Sequence, residues 1–134
     1  MKQLSLIAAA LLLSACAGND NKADDAPDAV ADFIQLHNLQ KQSRVRDFSN
    51  PGSLPVNTRY IIAYVDDAQY LVAYAHECRF ASKAMSDRPF DKRRYANQLW
   101  ARTDSYRGCP IKAIYPITLG QTQELMNMGR APGE

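Results

Sequence analysis

The sequence predicts an α+β domain: a small antiparallel sheet with a β-hairpin, an N-terminal helix and one disulfide. Three observations predict it. Residues 60–65 and 69–75 are aromatic and β-branched runs on either side of Asp66-Asp67, the pattern of two strands joined by a short acidic turn. Ahead of them, apolar residues recur at the helical period. Cys78 and Cys109 then remain as an even pair once Cys16, discussed below, is set aside.

The helix is expected to start at Asp28, whose carboxylate suits an N-cap. Val30, Phe33, Ile34 and His37 stand at i, i+3, i+4 and i+7, with Leu36 widening the stripe. Lys41, Arg44 and Arg46 suit the negative end of such a helix. Residues 50–55 (Asn-Pro-Gly-Ser-Leu-Pro) are expected to break regular structure. After the hairpin, residues 80–85 predict a short helix, and 94–102 a third strand that buries Tyr95, Leu99 and Trp100. Residues 111–115 alternate at period two and predict a last strand, stopped by Pro116. A terminal helical turn or two is expected over 121–128, ended by Gly129.

The chain has 134 residues, 46% hydrophobic and 22% charged, which fits one globular domain and is too apolar for a disordered chain. The formal charge of +2 implies no preferred partner. The N-terminus is more specific. Lys2 precedes an apolar run over 4–13, broken only by Ser5, and too short to span a bilayer, which takes roughly 20 residues. It reads as a signal peptide. Leu13-Ser14-Ala15-Cys16 follows directly and resembles the lipobox of bacterial lipoproteins. The resemblance implies a signal peptide over 1–15, cleavage before Cys16, and lipid on the Cys16 thiol. Several acyl chains on one residue anchor stably, where a single chain binds marginally. Ala17 in place of aspartate implies, by the same resemblance, transfer to the outer membrane, with the protein facing the periplasm. Residues 16–27 hold no apolar side chain larger than alanine after Cys16 and read as a flexible tether, so the domain is expected over 28–134.

In an exported protein, Cys78 and Cys109 predict a structural disulfide, worth about 3.5 kcal/mol on the chain-entropy account. A redox pair is the alternative, although such pairs usually come as C-x-x-C beside a helix start. The run Tyr70-Leu71-Val72 followed by Cys78, with Cys109-x-Ile111-x-x-Ile114-x-Pro116 later, resembles a proteobacterial lipoprotein family of unknown function. The resemblance covers 59–118 and implies location and the cysteine pair, with no activity.

Two groupings remain as candidate chemistry. His76-Glu77-Cys78 joins a histidine to a thiol, as a thiol- or metal-dependent envelope enzyme requires, but it lacks the helical spacing of H-E-x-x-H and a third ligand nearby. A disulfide at Cys78 removes its nucleophile and ligand roles, and Asp66-Asp67 reads as a turn rather than a carboxylate pair. The second grouping is 79–112, where nine Lys and Arg face three Asp, a balance of +6, with Tyr95, Trp100 and Tyr106 interleaved. Lys92, Arg93 and Arg94 mark its centre as a candidate anionic-ligand patch. A solvated basic face is the plainer alternative. Nucleic acid is not expected as a partner in the periplasm; anionic lipid, a glycan or an envelope protein is nearer. The function expected is therefore non-enzymatic, a binding or structural role in the envelope without a cofactor.

Overall fold

A computed structural model describes residues 28–81, 83 and 91–128. The expected signal peptide, Cys16, the tether and Gly129 lie outside these residues. The elements are α1 (Ala29–Leu36), β1 (Arg44–Val45), β2 (Gly52–Pro55), β3 (Tyr60–Val65), β4 (Ala68–Tyr74), β5 (Leu99–Trp100), β6 (Ser105–Tyr106), β7 (Cys109–Ile117) and α2 (Leu119–Met128). Five strands form an antiparallel sheet in the order β2-β3-β4-β7-β6, and β1 pairs with β5 in a second, two-stranded sheet. The α+β class, the hairpin, the N-terminal helix and the disulfide are all present.

Asp28 caps α1 as its side chain suggested, accepting from the Val30 and Ala31 amides at 3.1 Å each. The helix nevertheless ends earlier than expected, before Lys41, Arg44 and Arg46. Asn38 adopts φ 49°, and the Asn38 and Leu39 amides turn back to the Gln35 and Ile34 carbonyls. These two bonds form a Schellman ending, in which a left-handed residue satisfies the last carbonyls and stops the helix. Arg44 is thereby freed to enter β1 and sits opposite Trp100.

The Asp66-Asp67 turn joins β3 to β4 with Val65 opposite Ala68, and Asp66 supplies the positive φ of 52° that the tight turn demands. Both faces of this hairpin are covered away from its turn, so its strands are buried in consecutive runs, at 61–63 and 71–74, rather than at alternate residues. On one face Ile62, Leu71 and Ala73 pack with Ala113, Tyr115 and Ile117 beneath Val30 and Phe33 of α1 and Leu125 of α2. On the other, Ile61, Ala63 and Val72 meet Val45, Phe48, Leu99 and Tyr106. Each Val, Leu, Ile or Phe side chain among them, fully removed from water, contributes about 1.5–3 kcal/mol.

Three expectations are corrected. Residues 52–55 do not break the structure but form an edge strand, with Gly52 opposite Tyr64. The tip of the Tyr64 ring lies across Gly52, in space that a Cβ would take, so the glycine is there for the ring. Residues 94–102 hold only a two-residue strand, because main-chain bonding there goes largely to loop and carboxylate partners described below. The last strand runs through Pro116 to Ile117 and begins at Cys109. Pro116 is tolerated because β6 covers β7 only at Cys109 and Pro110, which leaves an open edge farther along, where a missing donor costs nothing.

The period-two reading of 111–115 also fails at one point. A bulge between Ala73 and Tyr74 on β4 leaves Lys112 unmatched on β7. The extra residue reverses the side-chain alternation. Ile111 therefore shares the disulfide face while Ala113 lies under the helices. The short helix expected over 80–85 falls mostly outside the described residues; Phe80 and Ala81, inside them, form a turn.

Helix α2 begins two residues before the expected start. Thr118 and Gln121 form a reciprocal capping box, at 2.9 Å from the Thr118 amide to Gln121 Oε1 and 3.1 Å from the Gln121 amide to Thr118 Oγ1. The Thr122 hydroxyl donates to Gln69 Oε1, which fastens the helix to β4. Opposite it, the Tyr60 hydroxyl donates to Asp28 Oδ2 at 2.8 Å, linking β3 to the cap of α1. Burial and this carboxylate push the Tyr60 phenol above the ordinary tyrosine range; burial does the same to Tyr115.

Candidate functional site

The basic segment is arranged around a carboxylate. Asp104 is 3% exposed. Its Oδ1 accepts from the Arg94 amide at 3.0 Å and its Oδ2 from the Trp100 amide at 2.8 Å, with the Thr103 hydroxyl at 3.4 Å from Oδ1. A buried carboxylate is tolerated where such donors replace water. Nearby, Lys92 and Ser105 exchange two bonds: the Ser105 amide donates to the Lys92 carbonyl at 2.8 Å, and the Lys92 amide to Ser105 Oγ at 2.7 Å. Asp91 Oδ1 accepts from the Gly108 amide at 2.9 Å. Arg107 and Gly108, with φ 53° and 87°, make the two-residue turn from β6 into β7. These bonds to main-chain amides fix the loop without engaging the Lys92 or Arg94 side chain, whereas Arg107 is held by the Ala81 and Lys83 carbonyls at 3.1 Å each.

Those side chains do not behave alike. Arg93 points inward: its Nη1 donates to the Phe48 carbonyl at 3.2 Å and the Ala96 carbonyl at 3.1 Å, and its guanidinium lies 5.7 Å from the Phe48 ring centroid. Arg94 is exposed, 5.8 Å from the Trp100 centroid and 5.9 Å from that of Tyr95. Arg44 reaches the same indole from β1, at 4.9 Å. Tyr95, 48% exposed, lies 6.4 Å from Trp100 between ring centroids. Lys92 is exposed, and with Arg93, Arg94, Asp91, Thr103 and Asp104 it lines a surface depression of about 670 Å³. Neither Arg44 nor Arg94 has a carboxylate partner among the described residues.

The structure thus brings Lys92 and Arg94 to one surface, gives Arg93 a packing role, and adds Arg44. Nothing local points to Arg44, since the Arg44–Trp100 pairing is a long-range register. Asp104 was also missed, because in a charge count it is only one of three acids. Cys78 and Cys109 are bonded, with S–S 2.08 Å and Cα–Cα 5.8 Å. Both sulfur-bearing residues are buried, and the bond ties the chain after β4 to the start of β7. His76 is exposed, its Nδ1 3.3 Å from the Glu77 carbonyl, beside a Cys78 whose sulfur is committed to Cys109. His37 is not a core histidine. It leans on Phe33 at 4.2 Å between centroids and meets the Glu124 carboxylate at 3.2 Å, joining α1 to α2 near the surface.

No known protein family, curated protein or solved structure matches the chain.

Proposed function

We propose that the chain is a lipid-anchored protein of the bacterial envelope whose domain works by binding anionic groups, not by catalysis. The anchor follows from the likeness of Leu13-Ser14-Ala15-Cys16 to a lipobox, and Ala17 directs the protein to the outer membrane, facing the periplasm. The binding role is supported above all by one observation. A carboxylate-braced loop carries the exposed cations Lys92 and Arg94 while spending its own acids on main-chain amides. Basic groups held this way act on anions outside the protein.

The test uses the mature chain, residues 16–134, carrying Cys16→Ser and an intact disulfide. At low salt it is expected to sediment with vesicles containing anionic lipid, or to be retained on an acidic glycan, and to release as salt shortens the Debye length from roughly 10 Å at 0.1 M to 3 Å at 1 M. Equal, negligible binding to anionic and neutral surfaces at low salt rejects the reading. The anchor is tested separately: the wild-type precursor incorporates labelled palmitate and the Cys16→Ser precursor does not.

A further inference from the structure

We propose that Arg44 and Arg94, gathered on the Trp100 ring, form a two-guanidinium site for a phosphate group. The proposal rests on the anion-binding reading above and narrows it to a place and a ligand chemistry. The two cations come from parts of the chain fifty residues apart. One is placed by the β1–β5 pairing of Arg44 with Trp100, the other by the Asp104 bond to the Arg94 amide. Asp104 also holds the Trp100 amide, so a single buried carboxylate sets the indole and one of the two guanidiniums together.

Two like charges near one ring repel, and structural arginines normally answer this with a carboxylate or a carbonyl. Arg93 does so through Phe48 and Ala96. Arg44 and Arg94 have no carboxylate among the described residues and no side-chain hydrogen bond there. An anion from solution can take the place that a carboxylate would otherwise fill. Packing against an aromatic face orients a guanidinium and leaves its planar fork of donors free, the geometry that suits oxyanions. A carboxylate has two oxygens and is satisfied by one fork. A phosphate monoester or diester has more oxygens in a tetrahedral array and can take donors from two directions. Phosphate is therefore the better match, whether carried by a lipid headgroup or by a soluble molecule. Exposed Lys92 adds a third positive charge on the same loop.

The chain contains one tryptophan, and it is the one in this site, so its emission reports occupancy directly. The mature Cys16→Ser chain is titrated with inorganic phosphate at fixed ionic strength. It is titrated separately with phosphatidylglycerol vesicles and with neutral phosphatidylcholine vesicles. A saturable change in Trp100 emission is expected with phosphate, weakened at least about tenfold by Arg44→Gln and by Arg94→Gln, the scale of losing charged hydrogen bonds. Lys112→Gln, which removes the same charge from an exposed bulge residue, is expected to leave it unchanged. Circular dichroism confirms that each variant is folded. A response shared by phosphatidylglycerol vesicles, with the same dependence on both arginines, identifies a lipid source; a response to inorganic phosphate alone identifies a soluble one. Three results overturn the site: no saturable response to either probe, equal competition by acetate, or equal weakening by Lys112→Gln. The last leaves general anion binding standing and removes only the paired-arginine site.

Discussion

Asp104 and Trp100 are joined by two hydrogen bonds running in opposite directions. The Trp100 amide donates to Asp104 Oδ2 at 2.8 Å, and the Asp104 amide donates to the Trp100 carbonyl at 3.2 Å. This closes a turn over residues 100–104, within which Arg102 takes φ 67°. The Ile111 amide donates to the Asp104 carbonyl at 3.1 Å, so the turn is docked on β7 as well. A short carboxylate side chain can serve two amides six residues apart only if the chain folds back on itself, and Asp104 is where it does.

Asp104→Ala leaves the Arg94 and Trp100 amides without their acceptor. Each unsatisfied buried donor costs about 1–3 kcal/mol, so a loss of roughly 3 kcal/mol is expected by denaturant unfolding. Trp100 emission in the folded variant is expected to move toward that of a solvent-exposed indole. A midpoint within experimental error of wild type would show that water replaces the carboxylate without cost.

The Cys78–Cys109 bond closes a loop across a sequence separation of 31. Non-reducing mass analysis of the exported protein is expected to read about two hydrogens below the reduced form. Cys78→Ala is expected to lower stability by roughly 2–5 kcal/mol. The loss falls on the start of β7 and on β6, which pairs with it at Cys109 and Pro110, so protection of the Tyr106 and Gly108 amides from hydrogen exchange should fall first. Two titratable thiols in protein taken from an oxidising compartment contradict the bond.

Tyr60 makes stability depend on alkaline pH. Burial and the Asp28 carboxylate raise its phenol above the ordinary value. Above about pH 10 the unfolded chain therefore releases a proton that the folded chain keeps. The unfolded state then binds fewer protons, and stability falls as pH rises. The contribution is whole below the ordinary value and is lost progressively toward the raised one. Tyr60→Phe forfeits the hydrogen bond to Asp28, worth about 1 kcal/mol near neutral pH, but cannot ionise. The stability difference between wild type and Tyr60→Phe is expected to shrink between pH 9 and 11. A constant difference across that range would mean that Tyr60 titrates alike in both states.

Local chemistry was legible where neighbours in sequence are neighbours in space. Asp28 caps the helix it precedes, and Asp66-Asp67 turns between the two runs it separates. The capping box of Thr118 and Gln121 is equally local, but a helix expected only from Gln121 leaves Thr118 outside it. Asn38 carried a helix stop in plain view, but Lys41, Arg44 and Arg46 suggested a longer helix by charge alone. In each case the competing local signal was weaker than a bond the main chain makes within four residues.

By itself the sequence determined the α+β class, the hairpin and its turn, the helix cap and the cysteine pair, since each rests on periodicity, on short-range bonding or on parity. Tertiary structure alone decided which arginine faces in and which faces out. Arg93 and Arg94 are adjacent and chemically identical, yet one meets the Phe48 and Ala96 carbonyls while the other joins Arg44 at Trp100. No periodicity governs a loop whose direction is set by one buried carboxylate. The partner of Arg94 arrives on a strand fifty residues upstream, through a register that only the packed fold specifies.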